Sequence, residues 1–128
     1  MIANVAGQNL RGLIHPWTPT YGFSSGSATV TTNLSQALRF GQQMFFHLDF
    51  TITNAGTAGG AALYVYIPLL SVPYSIMHGI QVGGAFKPII GILITNSTEI
   101  LVMGFDNLSV ITTGFRYNLQ GWVNTLAL

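Results

Sequence analysis

The sequence predicts an all-β fold: a single antiparallel β-sandwich, jelly-roll-like, with about seven or eight short strands and no major helix. Residues 43–54 read Q-M-F-F-H-L-D-F-T-I-T-N, with Met44, Phe46, Leu48, Phe50 and Ile52 on one parity and Phe45, His47, Asp49, Thr51 and Thr53 on the other. That alternation marks a strand with one buried face; a helix would set Asp49 beside Phe46 and Phe50 and interrupt its apolar stripe. Shorter apolar or β-branched runs recur along the rest of the chain, separated by Gly, Pro, Asn and Ser clusters. No stretch has a convincing amphipathic helical period, and no motif repeats at a fixed spacing, which disfavours a propeller or solenoid.

Taken in order, residues 1–20 form an N-terminal arm or lead-in, and residues 21–128 the sandwich. Pro16 and Pro19 surround Trp17, which is expected to peg the arm to the domain. Ala28 to Thr32 (A-T-V-T-T) is the first strand, and Gln36 to Phe40 a short second one that turns at Gly41-Gln42 into the central strand. After the Asn54 to Gly60 loop, Ala61 to Ile67 is a strand stopped at Pro68, with Leu63, Val65 and Ile67 toward the core and Tyr64 and Tyr66 outward. Leu69 to Ala85 reads as one long connection, broken by Pro73, Gly79, Gly83 and Gly84. Ile89 to Thr95 (I-I-G-I-L-I-T) is expected to be buried on both faces, and Glu99 to Met103 pairs with it as a hairpin. Phe105-Asp106-Asn107-Leu108 is a turn, Ser109 to Thr113 a further short strand, and Phe115 to Val123 the last, with Phe115, Tyr117, Leu119 and Gly121 on one face.

The chain has 128 residues, enough for one domain with a two-layer core. It lacks cysteine, so neither disulfides nor thiolate metal sites arise. Charged residues make up only 5% and hydrophobic ones 49%, where about 25% charged is ordinary. Burial of apolar surface between identical subunits is the simplest account of such a composition, so self-association is expected. Four scattered basic residues give no footprint for a phosphate backbone, which argues against nucleic acid. The uncharged stretch from Phe50 to Phe86 is long enough to span a bilayer, but Pro68, Pro73 and the alternation of Leu63, Val65 and Ile67 with Tyr64 and Tyr66 argue for strand and turn instead. The N-terminus M-I-A-N-V-A-G-Q-N-L-R lacks the basic n-region and long apolar core of a signal peptide, so no export signal is expected.

The inventory for catalysis is small: Asp49, Glu99 and Asp106, with His15, His47 and His78. His47 and Asp49 share a strand face and are expected to make a cross-strand or surface hydrogen bond, since metal sites ordinarily take three or more protein ligands. No nucleophile elbow, zinc-binding helix motif, phosphate loop or calcium loop occurs. A non-enzymatic protein without cofactor or metal is therefore expected. Saccharides are recognised by aromatic faces beside amide and carboxylate groups, and Tyr64, Tyr66, Tyr74, Asp106, Asn107 and Trp122 supply these types.

The passage A-L-R-F-G-Q-Q-M-F-F-H-L-D-F-T-I-T-N-A-G-T-A-G-G, followed by A-L-Y-V-Y-I-P-L, resembles the small C-terminal β-sandwich domains of bacteriophage tail fibres and tailspikes. Leu38-Arg39-Phe40-Gly41 stands where that family has an aromatic-arginine-x-glycine turn, and Ile67-Pro68 matches its strand end. The closing F-R-Y-N-L-Q-G-W-V is similar to the family's last strand, and Trp17-Thr18-Pro19-Thr20 to its entry segment, so the resemblance covers about residues 17–123. It implies a homotrimeric virion appendage domain that recognises a host cell-surface saccharide, with a longer tail fibre or tailspike chain as a further partner. The alternatives are a trimerisation or folding-assist domain of such a fibre, or a jelly-roll capsid or decoration protein. Beginning at Met1 without shaft or heptads, the chain is expected to be a fragment, a separately translated product, or an independent structural protein.

Overall fold

The computed structural model describes residue 14 and residues 17–68, 75–83, 85–93 and 98–125. Among these the chain is all-β, with eight strands: β1 (Tyr21–Phe23), β2 (Thr29–Phe40), β3 (Gln43–Asn54), β4 (Leu63–Tyr66), β5 (Ser75–Val82), β6 (Pro88–Leu93), β7 (Glu99–Gly104) and β8 (Arg116–Asn124). They form one antiparallel sheet in the order β1-β4-β7-β6-β5-β8-β3-β2. No helix among the described residues is long and apolar enough to cross a membrane.

The two ends of the sheet nearly meet, which makes it barrel-like. Trp17 Nε1 donates to Tyr66 O (3.1 Å) on β4, while Ser35 Oγ on β2 donates to Trp17 O (3.2 Å). The Tyr21 and Thr32 hydroxyls lie 2.7 Å apart, and Ile14 forms an isolated bridge with Leu38. Trp17 is the peg of this closure: its ring meets Phe46 edge-on at 5.0 Å.

The alternation of β3 sets the core. Met44, Phe46, Leu48, Phe50 and Ile52 are wholly buried, and together with Leu63, Val65, Met77, Ile89, Leu93, Ile100 and Leu119 they fill the interior. Burying the five β3 side chains alone contributes roughly 10 kcal/mol. β3 pairs with β2 on one side and β8 on the other, so its outward residues share a surface with both neighbours.

Five expectations change. A strand precedes the expected first one: Tyr21–Phe23 pair antiparallel with β4 as β1. The first two expected strands are one, β2, with a register shift between Thr32 and Leu34. A bulge at Asn33 reverses the side-chain parity, so Val30 faces in upstream and Ala37 faces in downstream, which hides the single strand from a period-2 reading. The supposed connection from Leu69 to Ala85 contains β5, whose alternation is partly inverted in polarity: Met77 is buried in the core, but so are Ser75 and Gln81, while Ile76, Ile80 and Val82 are exposed. Gly79 there is no breaker; a Cβ at that position would lie 2.1 Å from Asn118 O, so its absence lets β5 approach β8. β6 is buried on one face only, since Ile90 and Ile92 are half-buried. Residues 109–113 form no strand. Val110 and Ile111 fold over the barrel end as an apolar plug, held by Ser109 Oγ donating to Ala61 O (2.6 Å) and Tyr117 Oη donating to Val110 O (2.7 Å).

Candidate functional site

A cleft of about 280 Å³ opens at the barrel end beside this plug. Its walls come from the β5–β6 hairpin, the turn after β7 and the run into β8, and include Gln81, Lys87, Phe105, Asp106, Thr112 and Phe115. The turn is fixed locally. Asp106 Oδ1 accepts from Leu108 N (3.1 Å), Gly104 N donates to Leu108 O (3.0 Å), and Asn107 takes a left-handed backbone (φ 66°), which asparagine tolerates. This holds Phe105 outward, 59% exposed, and Phe115 stands 38% exposed on the opposite approach to β8. Gln81 supplies the polar element. It lies on the inward face of β5, only 8% exposed, and its side-chain amide makes no hydrogen bond to another described residue. No buried side-chain nitrogen or oxygen among the described residues lacks a partner, so this amide is accessible from the cleft, where it can donate and accept hydrogen bonds. A second concavity adjoins the first through Gln81, Lys87 and Phe115, beneath the hairpin tip where Phe86 also has a left-handed backbone (φ 50°).

A polar cluster occupies the outer face of β2, β3 and β8. Arg116 grips Asp49 with two hydrogen bonds, Nε to Oδ1 and Nη2 to Oδ2, both 2.8 Å. The Asn33 bulge aims Nδ2 at Asp49 Oδ1 (2.9 Å) and Thr51 Oγ1 (2.9 Å), and Asn118 Nδ2 donates to Asp49 Oδ2 (3.3 Å) while lying 3.1 Å from His47 Nε2. The Arg116 hydrogen bonds hold the Asp49 carboxyl at about 2, outweighing the opposing effect of burial, and the two asparagine amides and the guanidinium charge act in the same direction as those bonds. His47 and Asp49 are thus tied through Asn118 across the β3–β8 pair. Among the described residues no group of three or more histidine and carboxylate side chains is placed to hold a metal ion.

Next to this cluster the same outer face becomes aromatic. Trp122 is half exposed and meets Phe40 at 5.4 Å and Phe45 at 5.3 Å between ring centroids.

The residues picked from sequence for saccharide recognition do not form one site. Asp106 lines the cleft, and Asn107 shapes its turn and lines a smaller neighbouring depression. Trp122 lies on the outer face of β8, and Tyr64 and Tyr66 on the outer face of β4, four strand steps away in the sheet order, about 19 Å along the curved sheet. The Tyr66 ring packs over Gly22, where a side chain would displace its hydroxyl end. Tyr74 and His15 lie outside the described residues. Sequence reasoning missed Gln81, Lys87, Phe105 and Phe115; only the F-D-N turn and the phenylalanine after Gly114 hinted at a cleft wall. No protein family, no characterised protein and no solved structure matches the chain.

Proposed function

We propose that this chain is a non-enzymatic, homotrimeric domain of a phage virion appendage that takes a host-surface saccharide into the cleft beside Gln81. The observation that carries the reading is Gln81, a residue only 8% exposed whose side-chain amide lines the cleft with no hydrogen-bonding partner among the described residues and is left accessible to a ligand there. A sugar hydroxyl answers that amide, while the C–H face of the ring packs on Phe105 and Phe115; Asp106 and Lys87 supply further polar groups at the rim. The resemblance to tail fibre and tailspike domains favours the virion setting. Absence of hydrolysis is favoured by the placement of the carboxylates: Asp49 is paired with Arg116, and Glu99 at the start of β7 is separated from Asp106, in the turn beyond its far end, by the length of the strand, about 17 Å, beyond the separations glycosidases use.

The test is a glycan array with the intact protein, followed by titration of the best binder against Gln81→Leu and Phe105→Ala. We expect each substitution to weaken binding at least tenfold with little change in thermal midpoint. An array with no binder above background refutes saccharide recognition, as does affinity unchanged in both variants. A second reading, a domain that trimerises or caps a longer fibre, is favoured by the aromatic outer face around Trp122. On that reading the array is blank and removing the domain from the parent fibre abolishes its assembly.

A further inference from the structure

We infer that the outer face of β2, β3, β8 and β5, centred on Trp122, is the surface through which copies of this chain associate. This rests on the oligomeric part of the reading above and names the surface that it leaves open. The strand registers place Phe45 opposite both Leu38 and Trp122, and the β5–β8 register, which pairs His78 with Gln120, sets Ile76 beside Trp122 one step further on. A row of apolar side chains therefore crosses four adjacent strands, with Phe40 packed against Trp122 at its margin. Trp122 is 50% and Ile76 52% exposed, and Leu34, Ile80 and Val82 extend the apolar surface along the same face.

Charge is nearly missing from this face. Among the described residues only Asp49 and Arg116 project from it with formal charge, and they neutralise one another. Between the apolar row and that pair run Gln36, His47, Gln120 and His78, a band of side chains able to donate and accept hydrogen bonds. An uncharged face with a half-exposed tryptophan held between two phenylalanines has the composition of an interface centre, where aromatic anchors are enriched and charges depleted. Its size fits as well. Four strands spaced about 4.8 Å apart, over about 30 Å of β8, project about 600 Å², and the relief of side chains brings the accessible area near the 800 Å² that each partner buries in a standard interface. A second copy is the occupant these features select, because the same shortage of charge on both sides leaves no repulsion to overcome.

The experiment is solution mass by light scattering over a concentration series for the wild type, Trp122→Lys, Ile76→Lys and Gly59→Lys. Gly59 lies in the loop before β4, with open space where a side chain would project, and serves as the control. Strand content by circular dichroism and the urea midpoint verify folding in each. We expect an oligomer for the wild type and Gly59→Lys, and a shift of at least tenfold toward monomer in the two lysine variants of the face. A monomeric wild type at every concentration overturns the oligomeric reading and this inference with it. An oligomer that persists in both folded face variants overturns the surface assignment alone. Should Trp122→Lys lose its strand signature, Ile76→Lys, at the exposed margin of the row, decides between these outcomes.

Discussion

Replacing Asp49 by asparagine keeps the shape of the outer-face cluster and removes its charge, so it isolates the ion pair with Arg116. The folded-state carboxyl sits at about 2, against 3.8 for the free group. Taken at face value that difference would contribute over 2 kcal/mol, but the Arg116 side chain is 50% exposed, and screening by water reduces the figure to about 1.5 kcal/mol. For a chain of this length, that lowers the thermal midpoint by about 6 °C at pH 7. The sign with pH follows from linkage. A carboxyl whose folded value is depressed stabilises the fold fully above its unfolded value near pH 4, and the contribution is lost as pH falls toward about 2. Thermal melts of wild type and Asp49→Asn at matched protein concentration should therefore differ at pH 7 and converge by pH 2. Glu99 and Asp106 are present in both proteins, so the difference between the melts reports Asp49. A gap as wide at pH 2 as at pH 7, or none at pH 7, would refute the reasoning.

Phe46→Ala removes a wholly buried ring and the surface on which Trp17 rests, and should cost about 3–5 kcal/mol, read as a lower urea midpoint. Gly79→Ala puts a Cβ against Asn118 O of β8, and should destabilise by more than about 2 kcal/mol, with loss of amide-exchange protection concentrated in β5 and β8. Tyr117→Phe leaves the Val110 carbonyl without its donor and should cost about 1–2 kcal/mol. Burial pushes the Tyr117 hydroxyl up to about 12, so its contribution is complete below about pH 10 and fades as pH rises through about 12. The phenylalanine variant should accordingly show a flatter alkaline limb in a stability-versus-pH series.

How legible each part of the fold was depends on how strongly its two faces differ. β3 was plain because five apolar side chains meet a packed interior while His47, Asp49 and Thr51 meet a polar cluster, and its bounds are those read from the sequence. β2 was cut in two because one inserted residue, Asn33, reverses the parity that identifies a strand. That same insertion brings an amide to Asp49, a contact no local pattern announces. The cleft was legible only at Asp106. Gln81, Asp106 and Phe115 come from three separate stretches of chain, and their meeting depends on strand order, which composition and spacing do not encode. Tyr64, Tyr66 and Trp122 were chosen for chemistry alone, and the registers send them to different parts of the barrel wall.

β5 is the least legible strand, and its partly inverted polarity links the two proposed surfaces. A strand that served only the core would be apolar inward and polar outward. β5 instead turns Gln81 inward at the cleft and Ile76, Ile80 and Val82 outward onto the uncharged face. Each departure corresponds to one proposed activity, which makes their independence testable in a single element. Ile76 and Gln81 lie on opposite faces and about 17 Å apart along the strand, so they share no contact through which their effects would couple. Gln81→Leu should weaken titration by a free monovalent saccharide and leave solution mass unchanged. Ile76→Lys should lower the mass and leave that monovalent affinity within about twofold, because avidity plays no part when the ligand carries one epitope. Loss of saccharide affinity in Ile76→Lys, with its fold intact, would show that the cleft is completed by a neighbouring copy, and the two surfaces would then have to be treated as one site.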